Sequence, residues 1–356
     1  MTRLIEILIS LAIVAALFLA IALVLPASRQ LEHSVETNRK LTIVFDTLNS
    51  LRRFDDWHPL VLRDPNVKIQ LSGPASGKGA TLTYESDVQG VGDGSWTIVE
   101  SVPNERVKYA IEDIQRGSDK TSEFVLSRTG KNNRNVKITQ RYSVDYGWNL
   151  LGRYSGLYVS SNVGDDMKIG LSRLSNMLAG VPNFDYSELS QGDPSKAPRV
   201  GERPAEVLLT VAAAVERTNE RVQGQMKSNM EWIRKVMAAN GLEAAGPVRI
   251  ITNEFGSDTY SFVVAQPVTK PGTDLSADGA IKLEGPVEIV RNDASRIASV
   301  PFTGHMANLP RVRDAVRAWA LTHGYETTDR PYENWNNGID AGFTEEGQFD
   351  VVWAVK

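Results

Sequence analysis

Arg134–Asp145 reads RNVKITQRYSVD, and its alternation decides the fold class of the first half of the chain. Val136, Ile138, Gln140, Tyr142 and Val144 fall two residues apart. In an extended strand they share one face. A buried amide needs hydrogen-bond partners, which makes Gln140 a candidate for orienting the polar head of a ligand.

Working outward, the same period recurs in Val107, Tyr109 and Ile111, and in Trp96 and Ile98. Strand-like runs fall near 66–71, 80–86, 94–102, 105–113 and 121–129, with breaks at Pro103-Asn104 and Gly130-Lys131-Asn132-Asn133. Before them, His33–Lys40 predicts a first strand. Leu41, Val44, Phe45, Leu48 and Leu51 then predict an amphipathic helix that Pro59 cannot continue. After them, Met167, Leu171, Leu174 and Leu178 form the stripe of a closing helix, with Asp165 as its expected N-cap. One helix, a long antiparallel meander and a closing helix describe an α+β domain over 34–180, a curved sheet gripping a helix.

This stretch resembles the START-like helix-grip superfamily that includes polyketide cyclases, often labelled SRPBCC. The resemblance is carried by Trp57-His58-Pro59, Asp64-Pro65, Gly73 to Ala80, Gly90-Val-Gly92-Asp-Gly94 before Trp96, Ile98 to Asn104, and Asp166 to Leu174. It implies an apolar cavity between sheet and closing helix. Trp96, Tyr109 and Tyr142 are its expected walls, and plain core is the competing reading of the same three rings. The superfamily includes lipid carriers, cyclases and hormone receptors, so the resemblance does not select an activity.

Two tempting motifs fail on their chemistry. Gly73–Gly79 is one residue short of a phosphate-binding loop, lacks the Ser/Thr after Lys78, and leads into a strand. Asp55-Asp56-Trp57-His58 gathers two carboxylates and an imidazole, but adjacent residues rarely converge on one point, and a helix-ending turn favours such residues.

At the N-terminus, residues 4–25 read LIEILISLAIVAALFLAIALVL, with no charge from Ile7 to Leu25. As a helix this apolar part spans roughly 28 Å, close to the ~30 Å hydrocarbon core. A cleaved signal peptide is the competing reading, with Pro26-Ala27-Ser28 as its cleavage site, although its apolar core usually runs about 7–15 residues. The expectation is a single transmembrane anchor over 1–28 in a bacterial inner membrane. The short tail suggests that the remainder is periplasmic.

The 356 residues are 42% hydrophobic and 23% charged, with a net charge of −4 and no cysteine. Disulfides, thiol catalysis and Cys-ligated zinc are thereby excluded. With no clustered Lys or Arg, no nucleic-acid partner is expected. Four histidines form no metal-ligand pattern, and there is no cofactor fingerprint or Ser-His-Asp constellation.

Pro182, Pro194, Pro198 and Pro204 mark a polar linker over 181–204. Beyond it lies an internal repeat. One helix carries Val222, Met226, Met230, Ile233 and Met237 and stops at Asn240-Gly241. A second carries Leu309, Val312, Val316 and Trp319 and stops at His323-Gly324. Each is followed by a proline-led strand, at Pro247–Ile251 and Pro331–Trp335, and by a closing run, at Val263–Ala265 and Val351–Trp353. A strand-helix-strand-strand unit used twice predicts a pseudo-twofold α+β domain over 205–356.

That pattern resembles the gyrase-inhibitor-like effector-binding domain also fused to AraC-type and MerR-type regulators. Pro331-Tyr332-Glu333-Asn334-Trp335 is its most specific piece. The family often carries Glu-x-Tyr where this chain has Glu333-x-Trp335, and Arg249 holds the first-repeat position of Glu333. The resemblance implies an amphipathic, often cationic, ligand between the repeats. Glu333, Trp335, Arg249 and Trp353 are the expected contacts, against the alternative of a Glu333–Arg249 ion pair with Trp335 as core. The resulting expectation is a membrane-anchored sensor or carrier for apolar or amphipathic small molecules, with no cofactor and no metal. An enzyme is the alternative, cyclase-like in the first domain or a hydrolase in the second.

Overall fold

A computed structural model describes residues 2–356 except Gln191, Ser276 and Asp278. Gln191, which the sequence places in the linker, lies outside the described residues. The chain forms two compact units, Met1–Val181 and Pro182–Lys356.

The first unit opens with helix α1 (Thr2–Val24), the one described helix long and apolar enough to cross a membrane. Strand β1 (Ser28–Thr37) follows, starting and ending earlier than the alternation predicts. Helix α2 (Leu41–Leu48) buries Val44, Phe45 and Leu48, and the short helices α3 (Phe54–Trp57) and α4 (Leu60–Arg63) complete the excursion. The meander then runs through β2 (Lys68–Ser72), β3 (Thr81–Glu85), β4 (Gly94–Val102), β5 (Arg106–Asp113), β6 (Ser118–Thr129) and β7 (Asn135–Asp145). The sheet order is β1-β7-β6-β5-β4-β3-β2, every neighbour antiparallel. Bulges near Val99 and Asp119 break the register and sharpen the bend, and the sheet curls into a half-barrel.

Helices α5 (Leu150–Ser155) and α6 (Val159–Ala179) close the unit. The stripe Met167, Leu171, Leu174 and Leu178 is buried. The expected cap at Asp165 is corrected: α6 begins at Val159, and Asp165 sits inside it, 2.9 Å from Lys168. The polar run Ser160-Ser161-Asn162 hides the first two turns from a periodicity reading. Gly170 brings α6 close to Pro59 and Trp57, since a Cβ there would already stand 3.4 Å from Pro59 Cδ.

The second unit contains α7 (Ser187–Ser190), β8 (Arg199–Arg203), β9 (Glu206–Glu216), α8 (Asn219–Asn240) and β10 (Glu243–Ala244). It continues with β11 (Val248–Phe255), β12 (Thr259–Thr269), β13 (Glu288–Asn292), β14 (Ser295–Thr303) and α9 (Leu309–Thr322), then β15 (Tyr332–Trp335), α10 (Gly338–Gly342) and β16 (Gln348–Val355). Strand β8 falls inside the stretch expected to be linker and pairs with β14. The sheet order is β13-β9-β12-β11-β15-β16-β14-β8, so the two strand-helix-strand-strand repeats meet where β11 pairs with β15. Thr218 accepts from Arg221 N at 3.3 Å to start α8, and Gly241 at φ +62° ends it. The apolar stripes of α8 and α9 share one core with Ile250, Val264 and Val351 of the sheet.

Candidate functional site

Between α6 and the curled sheet of the first unit lies a cavity of about 620 Å³. Its floor is set by strand alternation: Tyr84, Trp96, Ile111, Gln140 and Tyr142 all point inward. Trp57, His58 and Leu60 wall it from α3 and α4, and Met167 and Gly170 from α6. The rings are packed edge to face, with Trp57 and Phe124 centroids 5.7 Å apart and Trp96 and Tyr109 5.6 Å apart.

Of the four residues expected here, Trp96, Gln140 and Tyr142 line the cavity. Tyr109 is buried behind them, and its hydroxyl donates to Leu48 O, tying β5 to the end of α2. Gln140 Nε2 donates to Ser122 Oγ at 3.0 Å, while its Oε1 is buried without a partner among the described residues. Trp57 Nε1 is likewise buried and has no partner among the described residues. Gln140 and Trp57 both belong to the cavity wall, and each keeps one polar atom within the packing behind it.

Asp113 also lines the cavity and is held by the buried Lys120 ammonium, which donates to Gln115 O at 2.5 Å as well. Burial, reinforced by the Asp113 and Asp93 charges, pushes the Tyr84 phenol up to about 12. Burial and Asp113 also raise Tyr142. Both hydroxyls stay protonated at neutral pH and able to donate. Burial pushes the His58 imidazole down to about 3, helped by the Arg63 and Arg173 charges. His58 Nδ1 accepts from Leu60 N at 3.2 Å, and its ring stacks on Phe54 at 4.2 Å.

In the second unit the predicted contacts divide between the two faces of the sheet. Ile250 pairs with Glu333 and Arg249 with Asn334, so Glu333 faces the helices and Arg249 the opposite side. Glu333 is fully buried, and its Oε1 accepts from Arg313 Nε of α9. Its Oε2 has no partner among the described residues. Burial works against the Arg313 charge, yet Glu333 and Tyr260 together, each by charge and hydrogen bond, outweigh it and hold the guanidinium above its ordinary pKa. Trp335 is buried against Phe349, centroids 5.0 Å apart. Trp353 is half-buried, and its Nε1 donates to Arg313 O at 2.9 Å.

Arg249 instead grips Glu206 through both terminal nitrogens, at 2.5 and 3.1 Å, and donates to Asn334 Oδ1 at 3.1 Å. Its guanidinium lies 4.1 Å from the Tyr332 ring centroid. The alternative Glu333–Arg249 pair is thus not formed. Arg249 and Tyr332 border a pocket of about 200 Å³ on the open face of the sheet, which neither Glu333 nor Trp335 reaches.

No family model matches the sequence, and no curated protein matches it. Among solved structures, the chain is similar to the EcmrR C-terminal domain, with 18% identity over 45% of this chain and 96% of that one, TM-score 0.36. It is similar to a hydrolase from Listeria innocua, with 11% identity over 49% of this chain and 100% of that one, TM-score 0.35. It is also similar to norcoclaurine synthase from Thalictrum flavum in complex with dopamine and hydroxybenzaldehyde, with 14% identity over 45% and 91%, TM-score 0.33.

Several lining residues escaped the sequence reading. Tyr84 was accessible, since Leu82 and Tyr84 repeat the strand period. Trp57 and His58 read as a helix-ending turn, which they are, and only the packing of α3 against α6 turns that turn into a wall. Asp113 at a strand end carries no local signal.

Proposed function

We propose that the first unit is a receptacle for an amphipathic small molecule, on a chain anchored in a bilayer by α1. The observation that carries this reading is the cavity of about 620 Å³ with aromatic walls and Gln140 among its lining residues. A volume of this size suits a drug-sized or lipid-derived ligand. A polar head on that ligand is oriented by the Gln140 amide on the cavity wall. In this proposal the anchor covers 1–28, the receptacle 34–180, the linker 181–204 and an effector-type domain 205–356, with the soluble part periplasmic. Full-length protein in detergent is titrated with a fluorescent fatty acid, wild type against Gln140→Leu. The reading expects the variant to bind several-fold more weakly, and equal affinities defeat it. Intact mass of the membrane-extracted chain decides between a retained α1 and a removed leader.

A second reading is proton transfer on the bound molecule. Asp113, held by Lys120, and the protonated phenols of Tyr84 and Tyr142 border the same cavity, which places one carboxylate and two hydroxyl donors beside the bound molecule. Turnover of a carbonyl or ester panel that disappears in Asp113→Asn supports it.

A further inference from the structure

The segment Trp148–Tyr158 carries an apolar surface that the cavity does not use. Trp148 is 83% exposed, Leu151 54%, Leu157 51% and Tyr158 65%, clustered in eleven residues of an otherwise ordinary surface. The same segment is bolted to the end of α1. Buried Arg153 donates through Nη1 to the carbonyls of Ala22, Leu23 and Leu25, at 3.3, 3.1 and 3.3 Å, and so caps the open carbonyls of that helix. Tyr154 Oη donates to Phe18 O at 2.8 Å, and the Tyr154 and Phe18 rings stack with centroids 4.3 Å apart.

Phe18 lies six residues before Val24, about 9 Å along the helix axis. A group fixed beside Phe18 is therefore held below the end of the apolar helix, at the depth of an interfacial helix, about 5–10 Å into the headgroup boundary. Tryptophan and tyrosine are the side chains that favour that level. Ser155 and Val159 lie on or next to the segment and also line the cavity. The cavity is also lined by Ile114, 58% exposed, and by Gln115, whose Nε2 donates to Gly90 O at 3.0 Å.

We propose that Trp148–Tyr158 is a bilayer-docking surface. It seats in the headgroup region of the leaflet where α1 ends and holds the cavity rim at that level, so that the ligand is an amphiphile exchanged directly with the membrane. This rests on α1 spanning the bilayer, as proposed above, and the test separates the two.

Because the chain has no cysteine, Ile13→Cys, Leu151→Cys and Glu105→Cys each provide one attachment point for an environment-sensitive dye. Each full-length protein is reconstituted into phosphatidylcholine–phosphatidylglycerol vesicles containing spin-labelled lipid. The proposal expects quenching at position 13 by deep labels and at 151 by shallow ones, with Glu105→Cys remaining aqueous. Quenching at 13 with an aqueous 151 overturns the docking surface and leaves the anchor standing. An aqueous 13 overturns both. Exchange of a pyrene-labelled fatty acid between reconstituted protein and vesicles is then compared with the Leu151→Asp, Leu157→Asp double variant. Several-fold slower exchange at unchanged affinity in detergent supports the direct route, and equal exchange rates overturn it.

Discussion

Glu333 and Arg313 meet as an ion pair inside the second unit, with exposures of 0% and 5%. The acid that the sequence offers to a cationic ligand already has an internal cation, supplied from α9. The Arg313 charge also reaches the Tyr260 phenol, which is hydrogen-bonded to Thr252 at 3.0 Å.

Removing one partner of such a pair leaves a buried charge uncompensated. Arg313→Leu is expected to destabilise the protein by about 3–5 kcal/mol, whereas the double variant with Glu333→Leu recovers much of the loss. Chemical denaturation of the four proteins of this cycle checks it. Titration with lipophilic cationic dyes adds a functional arm. With Arg313 in place, affinity is expected to be indifferent to Glu333→Gln, and a wild-type protein that loses dye binding in that variant contradicts the closed-pair picture.

His58 makes stability depend on pH. Its folded pKa of about 3 lies below the ordinary value near 6.5, because burial disfavours the charged ring. Between those values the unfolded chain binds a proton that the folded chain does not, so stability falls as pH falls, by at most about 1.4 kcal/mol per unit. Above about pH 6.5 the contribution is fully present. His58→Asn keeps an acceptor for Leu60 N but does not titrate. Urea midpoints at about pH 7.5 and about pH 5 are expected to drop further for wild type than for this variant.

Tyr109 and Tyr142 sit on the same sheet and answer differently to truncation. Tyr109 is held in tight packing and bonds to Leu48 O, so Tyr109→Ala is expected to cost about 3–5 kcal/mol. Tyr142 borders open volume, so Tyr142→Ala enlarges an existing cavity and is expected to change the affinity for a fluorescent fatty acid more than the melting temperature. A Tyr142→Ala protein that unfolds like Tyr109→Ala places both rings in the core.

These two tyrosines also mark how far the sequence could be read. Period-2 alternation placed both on the inner face, because that face is a property of the strand alone. Whether a ring meets another ring or empty space depends on where α3 and α6 land, which is set by distant contacts such as Gly170 against Trp57. In the second unit the repeat was legible in two helices that each stop at a glycine. The pairing of Glu333 was not, because β15 and α9 approach through packing, and Arg313 reads simply as one more charge on a helix. Strand β8 escaped for the opposite reason: four prolines around it outweighed a short run with no alternation.

Gly342 and Trp335 provide the sharpest test of core packing. A Cβ on Gly342 would lie 2.2 Å from Trp335 Cζ3 and 2.5 Å from Cε3, well inside van der Waals contact. The indole has no room to retreat, because Phe349 meets it edge-on at 5.0 Å and Phe343 lies 5.9 Å away. Gly342→Ala is therefore expected to destabilise the protein by about 1–3 kcal/mol through overpacking. Trp335→Phe removes the part of the ring that the methyl strikes. The double variant should then be more stable than the sum of the single losses predicts, since residues in contact couple. Denaturation midpoints of the four proteins measure that coupling, and strict additivity would show that the indole moves aside freely.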